Sequence, residues 1–501
     1  MLIPRSYSVV ISGGSNLPKK TLQNTVDIFR KAVGYFIDLD LANWGSKFTS
    51  SMTHSELIKT TEELCLPSSR HVNACYDFPK ADPAFNRFPS YLRRAAITAA
   101  FGKVSAYKTS LAKWEHQPHK KGAKPPGVPK AGKCYPPLYR NNMFEGKQWA
   151  DYCQLNQHQS ANPSAIPADI IDTFRHARIK VYENNAWKWI DVTLKQSDVK
   201  YILCNCAGLE ESAPTLIGKG KKWKLAFLFK KEVQLSTKAV LDQIAVSVDL
   251  GINNACVCSA MKADGTVLGR KFLKLPREEA QLRHVLNLIR KAQSNGSRNN
   301  NKLWERAKGI NRYISVVTAR FIIAFAIEYG ANVIVMERLN LQGKKRGGSK
   351  RQRLSLWKAR DVQRMVECKA HLCDMRFSTV CAWNTSRLAF DGSGYVRRDK
   401  DNYSMCTFPN SQYIESKKGG KASKDKDAKY EGGKRYNCDL SASYNIGARY
   451  FVREILKSLD ENIRRRLKTK APEFSHGSTC CLNTLFNLHA GLRSIQNEAS
   501  A

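Results

Sequence analysis

Between Ile244 and Ala260 the chain reads IAVSVDLGINNACVCSA, and its apolar positions alternate. Alternation puts Ile244, Val246, Val248, Leu250 and Ile252 on one face of a strand, and Ala245, Ser247, Asp249 and Gly251 on the other. The Asp249 carboxylate thus stands in an otherwise apolar strand among small neighbours. Burying an ionised carboxylate is costly unless a cation or hydrogen-bond donors compensate it, which points to a metal ion or a bound phosphate. A strand-end Asp also opens turns, here at Gly251, and alternation alone does not choose between the two roles.

The same periodicities parse the rest of the chain. A short strand over Ser6 to Ile11 closes at Gly13 and Gly14, and helical spacing runs from Lys19 to about Trp114, including a helix opened by Pro89. Residues 115–137 are rich in Pro, Gly and Lys and read as a linker or extended crossing segment. Short β-type runs follow, HARIKVYENNAWKWIDVTL, KYILCN and TLIGKGKKWKLAFLFKKEVQL, predicting a small barrel or sandwich in which Trp223 and Phe227 serve either the core or base stacking.

From Gln243 the pattern turns mixed α/β. A hairpin turns near Asp264 and Gly265, and a helix follows with the stripe Leu282, Val285, Leu286, Ile289 and Ala292. A second helix spans about Lys302 to Tyr329, and then a strand places Val333, Val335 and Glu337 on one face. Another helix over about Leu354 to Cys373 and a strand near Phe377 to Ala382 precede a turn-rich stretch, whose second half reads as a mobile lysine-rich loop. The pattern resumes in a helix opened by Asp439, with Ala442, Ile446 and Tyr450 toward the core; an Asp at such a place is by default an N-cap. The stretch from Lys457 is a basic helix and a tail.

Charge narrows the class of partner. Eighty-two Lys and Arg against 43 Asp and Glu give +39 over 501 residues, spread along the whole chain. That predicts a polyanion partner, nucleic acid first, because no amphipathic or lipidated anchor for an anionic membrane is evident. Arg93, Arg94 and Lys103 on the Pro89 helix predict a phosphate-facing wall. The tract after Glu337, with Lys344, Lys345, Arg346, Lys350, Arg351 and Arg353, suits phosphate contact beside an acidic site, although its composition also permits a nuclear-localisation patch. The N-terminus lacks the pattern of a secretory signal, and the 15 cysteines are irregularly spaced with no CxxC pair. They read as reduced thiols, mostly in cores, in an intracellular protein.

Asp249, Glu337 and Asp439 mean more together than singly. Two divalent ions about 4 Å apart can activate water and stabilise the leaving oxygen of a phosphodiester, and a few carboxylates from separate elements suffice to hold them. Neither a Ser/His/Asp order nor HExxH supports another hydrolytic chemistry.

SVDLGINNA, VIVMERLNL and NCDLSASYNIGARYF resemble the three split motifs of the RuvC-type nuclease domain in TnpB proteins and compact type V CRISPR effectors. The resemblance covers Asp249 to about Leu456. It implies a multidomain α+β and α/β protein: an RNase H-like (RuvC) nuclease domain, a small β-barrel (wedge) domain and an inserted helical recognition lobe. The implied parts are the first wedge strand (1–15), the recognition lobe (16–115), a linker with the rest of the wedge (116–240), the nuclease in two parts (241–383 and 437–501) and a target-nucleic-acid-binding insertion (384–436) between them. It further implies that Asp249, Glu337 and Asp439 hold two magnesium ions, and that the partners are a guide RNA and the target double-stranded DNA beside a short flanking motif. The implied setting is the prokaryotic cytoplasm, nucleoid-associated when bound to DNA.

One departure stands out. Family members carry two CxxC pairs for structural zinc in the insertion, whereas this chain has Ala389 and Gly392 in place of the first pair, and Cys406 and Cys438 without CxxC partners. The expectation is a zinc-free remnant. Two other readings compete: a guide-directed DNA binder that does not cleave, and an actin-like ATPase or sugar kinase, whose phosphate loops VDLGINNACVC and Asp391-Gly392-Ser393-Gly394 resemble.

Overall fold

A computed structural model describes residues 1–13, 18–68, 71–72, 74–118, 122–149, 151–152, 166–206, 209–219, 222–251, 255–297, 299–339, 359–416, 428–470 and 479–500. The chain is a mixed α/β protein with several sheets. It divides into two compact units, Leu2–Lys231 and Glu232–Ala501, the latter including Met1.

The first unit holds a five-stranded sheet of β1 (Leu2–Ser12), β2 (His176–Glu183), β3 (Ala186–Leu194), β4 (Glu210–Lys219) and β5 (Lys222–Glu232), in the order β2-β3-β1-β5-β4. The first strand of the chain is therefore central, paired with β3 through Ile11 and Leu194. Asn184 and Asn185, both at positive φ (47° and 60°), make the tight β2–β3 turn whose twist matches the strands. Trp223 and Phe227 are buried with Val9, Ile179 and Leu225, which assigns them to the core rather than to an exposed stacking platform.

The helices α1 (Lys19–Ala42), α2 (His54–Cys65), α3 (Phe78–Ala81) and α4 (Ser90–Glu115) follow β1 in the chain. They form their own core, in which Phe78 stacks on Phe36 and Phe85 at 5.0 and 4.4 Å. Pro89 stands just ahead of α4 as its N-cap rather than inside its first turn. The start of α1 is tied to the sheet: Leu22 and Val26 join the sheet core, and the Thr25 hydroxyl oxygen accepts the Tyr182 N–H at 2.9 Å.

One expected β-type run is a helix. After α5 (Ala168–Arg175), KYILCN falls in α6 (Gln196–Asn205), with Val199, Ile202, Leu203 and Cys206 buried. Their i, i+3, i+4, i+7 spacing is the helical signal, and a six-residue window is too short to reveal it. Cys204 and Cys206, whose alternate spacing in a strand would put both on one face, therefore do not share one.

The second unit is built on β6 (Ile244–Asp249), β7 (Cys256–Lys262), β8 (Val267–Leu273), β9 (Val333–Arg338) and β10 (Arg376–Cys381), ordered β10-β9-β6-β7-β8. β6, β7 and β8 form an antiparallel meander, with the expected turn at Asp264 and Gly265 (φ +91°). β9 runs parallel to β6, and β10 parallel to β9. α7 (Pro276–Ser294) and α8 (Asn301–Glu328) pack on each other through Val285, Ile289 and Ala307. α8 is long and apolar enough by composition to cross a bilayer. Here its Ile322 and Phe325 join Val366 of α9 (Ala359–Leu372) against one face of the sheet, where Val246, Val248, Ile334, Met336 and the cysteines Cys256 and Cys258 point.

The opposite face carries Ala245, Val257, Val333 and Val335 and is covered by α11 (Cys438–Ser458) and α13 (Leu482–Ser500). Between α9 and α11 come α10 (Ser411–Ser416) and a small antiparallel sheet of β11 (Arg397–Arg398), β12 (Met405–Thr407) and β13 (Arg435–Asn437); α12 (Glu461–Lys470) precedes α13. α11 lies close to the sheet because Gly447 has no side chain: a Cβ there would sit 3.0 Å from Ser247 Oγ and 3.2 Å from Met261 Sδ.

Candidate active site at the end of the mixed sheet

The strand pattern that sends Val246 and Val248 to one face sends Asp249 to the other, toward α11. In the parallel β6–β9 pairing the last matched residues are Val248 and Met336, so Asp249 and Glu337 follow one step later at the same end of neighbouring strands. Asp439 arrives from α11. The helix is anchored to the sheet by a hydrogen bond between the Ser443 and Ser259 hydroxyls, and Ser259 is the cross-strand partner of Ser247, two residues before Asp249. The default capping role does not fall to Asp439: Asn437 is the N-cap, its Oδ1 accepting the Leu440 N–H at 3.0 Å.

Electrostatics registers the meeting of the three acids. Asp249 is 8% exposed. Burial pushes its carboxyl well above the usual carboxylate range, and the Glu337 and then the Asp439 carboxylates push it further, while the Arg398 guanidinium opposes them. Burial also raises Glu337, against a hydrogen bond from Thr385 and the charge of Arg449. The Glu337 backbone is held from the other side of the sheet, where Gln363 Nε2 of α9 donates to its carbonyl at 2.6 Å.

The donor chemistry fits a hard divalent cation, since a buried carboxylate crowded by two others is stabilised by positive charge between them. Among the described residues no group of three or more His, Cys, Asp or Glu side chains is placed to hold a metal ion together. Magnesium does not require one, because it keeps several waters and is commonly held by one or two carboxylates plus substrate phosphate.

Several residues of the site escaped the sequence reading. The Thr385 hydroxyl donates to Glu337 Oε1. Arg449, 4% exposed, donates from Nη1 to the carbonyls of Cys381 and Trp383 at 2.7 and 2.8 Å, and from Nε to that of Cys480 at 2.9 Å. Asn445, fully buried, donates to the carbonyls of Thr385 and Leu388 at 3.0 and 2.9 Å and accepts the Leu482 N–H at 3.1 Å. The available signal was Asn and Arg four residues apart among Ile446, Ala448 and Phe451, a spacing that puts both on one face of the helix.

The expected nucleic-acid contacts fare differently. Arg93 and Arg94 lie on α4 in the first unit, and both pair with Glu62, at 2.9 and 3.1 Å. Lys103 is half-buried on the same helix. Lys344, Lys345, Arg346, Lys350, Arg351 and Arg353 lie outside the described residues, as do Ile252 and most of the lysine-rich loop (417–427).

Cys406 of β12 and Cys438, the first residue of α11, are buried beside each other with Ala389 and Phe408, and Phe390 and Tyr436 pack around them. Ala389 thus contributes a methyl group, not a donor, to the cluster that holds the two thiols. The Asp391-Gly392-Ser393 segment is a self-closed turn: Asp391 Oδ1 accepts the Ser393 N–H and hydroxyl at 3.0 and 2.7 Å.

The fold and site together define a mixed α/β protein with an acidic cluster at the end of two parallel strands. The Aq_aa04 family model matches residues 6–182. The TnpB-like protein aq_aa05 of Aquifex aeolicus (strain VF5) is 28% identical over 171 residues, covering 30% of this chain and 55% of that protein. The uncharacterized protein aq_aa04 of the same organism is 28% identical over 127 residues, 25% of this chain and 67% of that one. The match thus spans about half the length of the first of these relatives. Among solved structures, a Cas12f1-sgRNA-target DNA complex overlaps at a TM-score of 0.43 and 14% identity, over 86% of this chain and 83% of that one. The chain is thus similar to a TnpB-like protein over part of its length, and TnpB proteins are among those whose motifs its own three resemble.

Proposed function

We propose that this protein is an RNA-guided DNA endonuclease that hydrolyses target phosphodiester bonds by two-metal-ion chemistry in an RNase H-like (RuvC) domain. The observation that carries the reading is the convergence of Asp249, Glu337 and Asp439, three acids from two strands and a helix. Asp249, Glu337 and Asp439 would hold the magnesium. When bound there, it supplies Lewis acidity for the attack of water and for departure of the leaving oxygen. Arg398, whose charge opposes the rise of the Asp249 carboxyl, would be the protein's own cation for a phosphate at that site.

The net charge of +39 supports a polyanionic partner. In this proposal a guide RNA pairs with the target strand while the protein reads a short flanking duplex motif. The sheet of the first unit would be the wedge, α1 to α4 the recognition lobe, and the β11–β13 region the target-binding insertion without zinc. The setting would be the prokaryotic cytoplasm, nucleoid-associated when DNA is bound.

The test is to purify the chain with its copurifying RNA and compare it with Asp249→Ala and Asp439→Ala. Both variants should lose cleavage of a guide-matched duplex and keep guide and target binding, since binding is spread over many basic residues. Equal loss of binding and cleavage would refute the assignment. Guide-independent binding of one DNA sequence would instead leave a conventional DNA-binding protein.

A further inference from the structure

A loop that supplies no metal ligand is held more firmly than its exposure would require. It runs from Cys381, at the end of β10, through Leu388. Four of its carbonyls are gripped by two side chains of α11: Cys381 and Trp383 by Arg449, Thr385 and Leu388 by Asn445. Its turn passes through Asn384 at φ +62°, a left-handed conformation that Asn tolerates better than most residues. The Arg387 and Leu388 N–H groups both return to the Asn384 carbonyl at 3.1 Å.

All of this fixes one polar side chain. Thr385 is 2% exposed, and its hydroxyl has two acceptors within reach, Glu337 Oε1 and the Ala382 carbonyl, the latter at 3.1 Å. A hydroxyl has a single proton to donate, and an ionised carboxylate is the stronger acceptor. The proton therefore goes to Glu337 when that side chain carries its charge. One carboxylate oxygen is then pinned to the protein, and rotation about the terminal torsion of Glu337, otherwise broad, is restricted. Gln363 holds the backbone carbonyl of the same residue.

We propose that Thr385 is the positioning residue of the acidic site, orienting the Glu337 carboxylate toward a divalent cation, with Asn445 and Arg449 holding Thr385 in place. The inference rests on the metal-site reading above and deepens it. Groups that orient a ligand in this way are typically worth about 10- to 100-fold in metal affinity.

The experiment measures Mn2+ binding to the full chain with its RNA, by calorimetry and by electron paramagnetic resonance, with melting temperature recorded for every variant. Thr385→Val keeps the shape and removes the donor, and it should weaken Mn2+ binding about tenfold or more. Thr385→Ser should restore most of the affinity. In an E337Q background, Thr385→Val should weaken binding no further, because the residue acts through Glu337; a merely structural role would give the same loss in both backgrounds. Wild-type affinity in Thr385→Val, or additive losses in the double variant, would overturn the proposal alone. Absence of Mn2+ binding in the wild type would overturn the metal-site reading and this proposal with it. Should Thr385→Val lower the melting temperature steeply, Thr385→Ala, which also removes the donor, takes its place in both backgrounds with the same expected and refuting outcomes.

Discussion

Replacing Asn445 by Ala tests whether the loop beside the acids is held by specific hydrogen bonds or by packing alone. Asn445 is fully buried and makes three bonds of 2.9 to 3.1 Å, two as donor and one as acceptor. Each is worth about 1 kcal/mol net, and the Leu482 N–H and two carbonyls left behind add part of their desolvation cost. The sum is about 4 kcal/mol, which for a unit of this size lowers the melting temperature by roughly 8 to 16 °C. Differential scanning calorimetry of the full chain, followed by denaturant unfolding, measures it. Asn445→Asp keeps the shape but turns the donors toward two carbonyls into acceptors, so it should be as damaging at neutral pH and partly recover at acid pH, where a protonated carboxyl donates once. A melting temperature for Asn445→Ala within about 2 °C of wild type, or a loss under about 1 kcal/mol, would show that packing alone holds the loop.

Three further outcomes follow from buried groups. The Asp249 carboxyl is raised by burial and by its acidic neighbours, so its ionisation opposes folding; the cost is absent below its unfolded value near 4 and grows as pH rises toward the raised native value. Asp249→Asn should thus melt higher than wild type at pH 8 without divalent cations and equally near pH 4, and magnesium should narrow the gap; a lower melting temperature at pH 8 would refute this. Glu211, raised by burial from 4.5 to about 7, should oppose folding increasingly between those values, so Glu211→Gln should match wild type at pH 4.5 and exceed it at pH 8 when the first unit is followed by tryptophan fluorescence. Because Cys406 and Cys438 pack with Ala389 and Phe408, the purified protein should hold well below one equivalent of zinc by elemental analysis and keep its melting temperature with a chelator too weak to strip magnesium.

Local periodicity carried a good deal. In β6 and β9 it assigned each side chain to a face, and the burial of Val246, Val248, Ile334 and Met336 against α8 and α9 agrees residue by residue. It failed where the window was short or two residues competed for one role. KYILCN belongs to a helix whose apolar spacing extends beyond the run, and Asn437 took the cap expected of Asp439. Both are choices between nearly equal local options, settled by a few kcal/mol of tertiary packing.

The sequence by itself determined which residues were chemically costly to bury, because the cost of an Asp inside an apolar strand, or of an Arg and an Asn beside Ile446, Ala448 and Phe451, is a property of the side chain. Only the tertiary structure decided how each cost is met. It set β1 between β3 and β5, brought β9 beside β6 so that Asp249 and Glu337 share one end, and turned Thr385, Asn445 and Arg449 into a single network. Those pairings join residues dozens to hundreds of positions apart. No local pattern encodes them, since the free energy that selects them appears only when a parallel sheet and the helix across it are assembled together.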